Sequence, residues 1–199
     1  WGPSKARMLG MPTYVIVAQV HGDECSPQLL VDEVRINPPT RYAVWLIPTL
    51  NPDGYKAGAR RNGNNADLNR DGGYTREWET NALFDFVSLV QPTLTVHVHS
   101  PNFFVGAYGG RGDASAQAGS RIAHEMGLSL NSAGAREDRR TWFLWQGLKY
   151  ELGQPSVLVE FHAISALEVP DAQPRPDAVN IEQVRAEARA LLKGLISTP

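Results

Sequence analysis

Apolar residues follow two alternating periods along this chain. Tyr14-Val-Ile-Val-Ala-Gln-Val20 is a continuous apolar run and predicts a buried strand. Ser26-Pro27 follows as an N-cap and first helical position, and Leu29, Leu30, Val31 and Val34 then form one apolar face. Tyr42 to Ile47 predicts a second buried strand, and Asn51-Pro-Asp-Gly54 a turn. A loop rich in Gly and Asn runs from Lys56 to Gly73. Glu77 to Val90 then predicts an amphipathic helix with Leu83, Phe84, Val87 and Val90 inward. Thr93 to Val98 predicts a third strand, and Ala114 to Met126 a helix stopped at Gly127. Trp142 to Leu152 reads as helical and Ser156 to Phe161 as a fourth buried strand. A Pro-rich stretch, Pro170 to Pro176, precedes a final helix over 180–196. That helix keeps Ile181, Val184, Ala188, Leu191 and Leu195 on one side.

Continuous apolar strands alternating with helices predict an α/β sandwich with a largely parallel sheet. The length of 199 residues, with 42 % hydrophobic and 20 % charged, fits one globular domain spanning 1–199. The net charge of -2 leaves no basic excess to neutralise phosphates, which argues against nucleic acid as a general partner. No apolar run approaches the roughly 20 residues that span a bilayer. A single cysteine, Cys25, excludes an internal disulfide and a Cys-rich metal site. The chain begins at Trp1 and shows no signal peptide. This composition suits a soluble protein, cytoplasmic or exported, and leaves export undecided.

In parallel sheets the ligand site lies beyond the carboxyl ends of the strands, and chemically distinctive groups gather there. His21-Gly-Asp-Glu24 follows the first strand and offers an imidazole and a carboxylate three residues apart, two ligand types suited to zinc. Of the five histidines, His97 and His99 share one side of the third strand, and His99 is nearer the loop where a site belongs. His97, His124 and His162 carry no ligand role in this reading. Glu160, embedded in Val157-Leu-Val-Glu160, costs several kcal/mol to bury unless paired, and is the best candidate for a general base. In the long middle loop, Arg60, Asn69 and Arg70 offer planar donors suited to a carboxylate or an oxyanion.

Taken in order, His21-Gly-Asp-Glu24, Asn51-Pro-Asp-Gly-Tyr55, Arg60 with Asp67-Leu-Asn-Arg70, His99-Ser100 and Glu160 resemble the carboxypeptidase A-like zinc metallocarboxypeptidase family. The resemblance implies a mixed, largely parallel twisted sheet sandwiched by helices. It also implies one zinc ion held by His21, Glu24 and His99, with Arg60 polarising the scissile carbonyl. Asn69 and Arg70 would hold the substrate's terminal carboxylate, and Glu160 would be the base. The short length, His99-Ser-Pro101 and Arg60-x-Asn62 are most similar to the bacterial murein-peptide amidase branch. Its members cut between γ-D-glutamate and diaminopimelate in cell-wall peptides. Two rivals are an aspartoacylase-like deacylase of N-acyl amino acids and a non-catalytic peptide-binding relative. Asp71 departs from the family's usual asparagine. The region Asp138-Arg-Arg-Thr-Trp142 lacks the tyrosine that digestive-type members carry there. Side-chain specificity is expected from the stretch Phe103 to Arg140, with Tyr108 and Trp142 as candidates to line the pocket. Arg111-Gly-Asp113 is read as an exposed turn.

Overall fold

A computed structural model describes residues 10–74, 76–110, 112–132, 138–165 and 177–196. The apolar runs become strands β1 (Thr13–Val17), β2 (Ala43–Ile47), β3 (Leu94–His99) and β6 (Ser156–His162). Two more strands lie between them in the chain, β4 (Asn102–Ala107) and β5 (Leu130–Ser132). The helices are α1 (Pro27–Ile36), α2 (Pro52–Ala57), α3 (Trp78–Val90), α4 (Ala114–Glu125), α5 (Leu144–Leu152) and α6 (Ile181–Gly194). The six-stranded sheet has the order β2-β1-β3-β6-β4-β5. The first four of these run parallel; β4 pairs antiparallel with β6, and β5 parallel with β4. This is the mixed, largely parallel sheet that was expected.

Both faces of the sheet are covered, which is why the strands read as unbroken apolar runs. On one face Ile16, Val96, Val98, Val157, Val159 and Phe161 pack with α1, α4 and α6 through Leu30, Ile122, Ala188 and Leu191. On the other, Val15 and Val17 pack against α3 and α5 through Leu83, Phe84, Val87, Leu144 and Leu148. Alternation along β3 and β6 therefore places His97, His99, Leu158 and Glu160 on the α3/α5 face.

Several expectations need correction. The first strand ends at Val17, and Gln19 adopts a positive φ of 46° that turns the chain away from the sheet. Asn51-Pro-Asp-Gly54 is not a free turn but the start of α2. Asn51 caps that helix by accepting from the Gly54 N–H at 2.9 Å, with Pro52 at the first helical position. Ser26 precedes α1, yet its hydroxyl makes no capping bond and instead donates to the His162 carbonyl at 2.6 Å. β4 and β5 are strands that the apolar pattern does not predict. Pro170 to Pro176 and Arg111 lie outside the described residues. Asp113 caps α4 and pairs with Lys149 at 2.5 Å, so that end of the Arg111-Gly-Asp113 tripeptide is structural.

Candidate metal centre and surrounding pocket

His21 and Glu24 sit in the tight segment beyond β1, where Gly22 lies against α2. A Cβ on Gly22 would stand 1.9 Å from the Gly54 carbonyl carbon, so only glycine permits the contact. Asn51 strengthens it by donating to the Val20 carbonyl at 3.3 Å and the Arg60 carbonyl at 3.2 Å. The Asn51-Pro-Asp-Gly54 motif thus holds the backbone on which His21 and Glu24 are mounted.

β3 ends at His99, and the parallel neighbours bring it to the same place. His21 Nδ1 lies 2.5 Å from Glu24 Oε1, His99 Nδ1 3.0 Å from Glu24 Oε2, and the two Nδ1 atoms are 3.2 Å apart. The Ser100 N–H donates to Glu24 Oε2 at 3.3 Å. All three residues are buried, and one ligand atom from each falls within 4.8 Å of the others. Two imidazole nitrogens and a carboxylate that converge on one point form a donor set a metal ion fits. His97 lies on the same face but deeper, beside Val17 and Leu158. It is fully buried, its ring nitrogens have no hydrogen-bond partner, and burial lowers its pKa to about 3. It is a core residue, as the absence of a ligand role in the sequence reading implies.

The electrostatics follow from this crowding. Burial pulls the His21 pKa down, but the Asp67 and Glu24 carboxylates beside it outweigh burial and raise it to about 9. Burial pushes Glu24 up, but the two imidazoles beside it prevail and bring it to about 2.

Asp67, which the sequence pattern alone assigns no role, organises the site. Its Oδ1 lies 3.1 Å from His21 Nε2 and accepts the Asn69 N–H at 3.0 Å. Its Oδ2 accepts from Arg60 Nε at 3.0 Å. One carboxylate therefore orients the imidazole, the guanidinium and the short 3₁₀ turn Leu68–Arg70. Burial disfavours its charge, but these donors hold it well below the usual carboxylate range. Its position two residues before Asn69 was the available signal.

Arg60 Nη1 reaches within 3.3 Å of His21 Nδ1 while its side chain stays 44 % exposed, so it borders the site and meets solvent. Asn69 is buried, with Oδ1 lacking a hydrogen-bond partner. Arg70 donates to the Asn69 carbonyl at 3.1 Å and lies 4.5 Å over the Phe143 ring. Glu160 is the ladder neighbour of His99. Its Oε2 accepts from the Asn102 backbone N–H at 3.3 Å and from Asn102 Nδ2 at 3.2 Å. Burial dominates and raises its pKa, against the opposing pull of His99.

An aromatic group joins Arg70 to Glu160 along the same face. Phe143 neighbours Trp145, Trp145 stacks on Tyr108 at 4.1 Å, and Phe104 pairs across from Glu160. Tyr108 is 1 % exposed and donates to Gln146 at 3.3 Å, so it forms a floor beneath Phe104 and Phe143. Trp142 reaches Tyr108 through Tyr150, with ring centroids 5.7 and 5.9 Å apart, and its ring also carries the Arg139 guanidinium at 4.7 Å. Asp71 accepts the Glu77 N–H at 2.7 Å and thereby ties the loop to the start of α3.

This largely parallel sheet sandwiched by helices is the architecture of solved metallo-carboxypeptidases, and the chain has that fold. No protein-family model matches the chain, and no curated protein matches it in sequence. Among solved structures, a metallo-carboxypeptidase from Burkholderia cenocepacia superposes with a TM-score of 0.68 at 18% identity, over 93% of this chain and 56% of its own. The murein-tripeptide amidase MpaA of Escherichia coli O157 gives 0.64 at 22% identity, over 90% of this chain and 81% of its own. A succinylglutamatedesuccinylase/aspartoacylase from Rhodobacter sphaeroides gives 0.64 at 17% identity, over 94% and 54%. The chain thus spans little more than half the length of the first and third of these. No helix among the described residues is long and apolar enough to cross a membrane.

Proposed function

We propose that this protein is a zinc-dependent peptidase or amidase of exopeptidase type, with residues 1–199 acting as one catalytic domain. One observation carries the reading. The ligand atoms of His21, Glu24 and His99 converge within 4.8 Å, with Glu160 next to His99 in the ladder. His21, Glu24 and His99 would hold the zinc ion, which when bound supplies Lewis-acid polarisation of a carbonyl and acidifies water.

The remaining chemistry belongs to the chain. Glu160 takes a proton from water and passes it to the leaving nitrogen, a role suited to a carboxylate whose pKa burial has raised. The two Asn102 donors grip one of its oxygens, leaving the other to face the reaction. Arg60, fixed by Asp67, donates to the carbonyl oxygen as negative charge grows there. Asn69 and Arg70 receive the free carboxylate beside the scissile amide, so the partner is a peptide, or a cell-wall peptide, ending in that group. The MpaA likeness and the murein-amidase pattern of the sequence favour γ-D-glutamyl-diaminopimelate as the bond cut. The Rhodobacter neighbour keeps a second reading in view, deacylation of N-acyl amino acids.

Metal analysis of the purified protein should find one zinc per chain. The zinc protein should hydrolyse γ-D-glutamyl-diaminopimelate peptides faster than N-acyl amino acids or peptides ending in Lys, Phe or Glu. Glu160→Gln should lower kcat by about 10²–10⁴-fold with zinc content intact. A variant that keeps substantial turnover would remove Glu160 from the base role.

A further inference from the structure

We infer that His162 and Glu187 form a positioning pair for the Glu160 carboxylate, an inference that rests on the peptidase reading above. His162 closes β6 two residues beyond Glu160, and several of its contacts fasten it. Its Nδ1 lies 2.6 Å from Glu187 Oε1 in α6, and its N–H donates to Glu187 Oε2 at 3.1 Å. Its carbonyl accepts the Ser26 hydroxyl at 2.6 Å. Its ring face carries the Phe103 ring, with centroids 4.0 Å apart and planes 24° from parallel.

These contacts converge on Asn102, which supplies the N–H bonds to Glu160 Oε2. Asn102 is the ladder partner of His162, and Phe103 follows it with a positive φ of 46°. A bulky residue in that conformation is strained and persists only where its surroundings hold it. The surroundings here are the imidazole beneath the ring, itself fixed by Glu187. If the imidazole turns, Phe103 loses its seat and both Asn102 donors shift off the carboxylate. Ser26 lies two residues after Glu24, so the same residue also ties the strand carrying Glu160 to the segment carrying Glu24. That tie runs through the His162 backbone, whose N–H is held by the Glu187 carboxylate. Glu187 is 6 % exposed, and a buried carboxylate stripped of its imidazole is costly. The decisive variants therefore preserve its shape.

The zinc-loaded full chain is compared with Glu187→Gln, Phe103→Leu, His162→Ala and His162→Gln. Glu187→Gln, Phe103→Leu and His162→Ala should lower kcat about 10- to 100-fold, with KM and zinc content unchanged, as expected for a small displacement of a reacting group. His162→Gln, which can still donate to Glu187 but offers Phe103 no ring, should recover only part of what His162→Ala loses. Independently of activity, the Asn102 side-chain amide should move in the ¹⁵N spectrum in the three impaired variants. Lowered thermal stability with unchanged kcat and an unmoved Asn102 amide would reduce the pair to a structural contact and overturn the inference. If the parent protein hydrolyses none of the peptides, the peptidase reading fails by itself. The Asn102 resonance then decides the pair alone.

Discussion

His21 is held by Glu24 on one nitrogen and Asp67 on the other, and this has consequences that can be measured. A carboxylate behind a ligating imidazole fixes its orientation and raises its basicity. Asp67→Ala should therefore weaken zinc binding about 10- to 100-fold, read by chelator competition, while leaving the fold intact. The pKa shifts set the pH dependence of the metal-free protein. His21 is raised to about 9 from 6.5, so its contribution to stability is full below pH 6.5 and is lost as pH climbs through 9. Glu24 is lowered to about 2 from 4.5, so its contribution is present above 4.5 and is lost as pH falls through 2. The proposed zinc ion must displace the His21 proton to bind. Apparent affinity should rise by about tenfold per pH unit between 6.5 and 9, then level off. A flat profile over that range would mean His21 is already neutral. At this scale His21, Glu24 and His99 were legible as candidates because they lie at or just beyond the ends of apolar strands, and Glu160 because a carboxylate interrupts one. Asp67 and Asn102 were not, since their importance comes from partners far away in the chain.

At the scale of elements, backbone-to-backbone approaches position the loops that carry the polar groups. A Cβ on Gly147 in α5 would stand 2.1 Å from the Gly72 carbonyl oxygen, and Gly72 in turn donates to the Trp142 carbonyl at 3.1 Å. This contact seats the segment following Asn69 and Arg70 against α5. Gly147→Ala should push that segment outward, raising KM for carboxylate-terminated peptides several-fold with zinc content retained and costing about 1–3 kcal/mol in denaturant unfolding. The element reading succeeded where periodicity was long, as in α3, whose Leu83, Phe84, Val87 and Val90 are all buried. It failed at β4 and β5. Asn102-Phe-Phe-Val-Gly-Ala107 mixes an exposed polar start, a left-handed Phe103 and an interior glycine, and Leu130–Ser132 spans three residues. Their strand state comes from pairing with β6 and with each other, a long-range choice that local propensity does not encode.

Across the whole molecule, the aromatic floor supports the site from below. Trp145 is 1 % exposed and stacked on Tyr108 beneath Leu158, two residues before Glu160. Trp145→Ala should cost about 3–5 kcal/mol through lost burial and the cavity left behind, measured by chemical denaturation. The sequence alone determined the alternation of buried strands and amphipathic helices, because burial on both faces demands continuous apolar runs. It also narrowed the candidate metal donors to histidines and carboxylates, since few residue types bind zinc and the chain has only one cysteine. Tertiary structure decided what those donors could do together. His21 and His99 are 78 residues apart and meet only because β1, β3 and β6 are adjacent and parallel. Strand register set Glu160 beside His99 and left the chemically identical His97 beside Leu158 in the core.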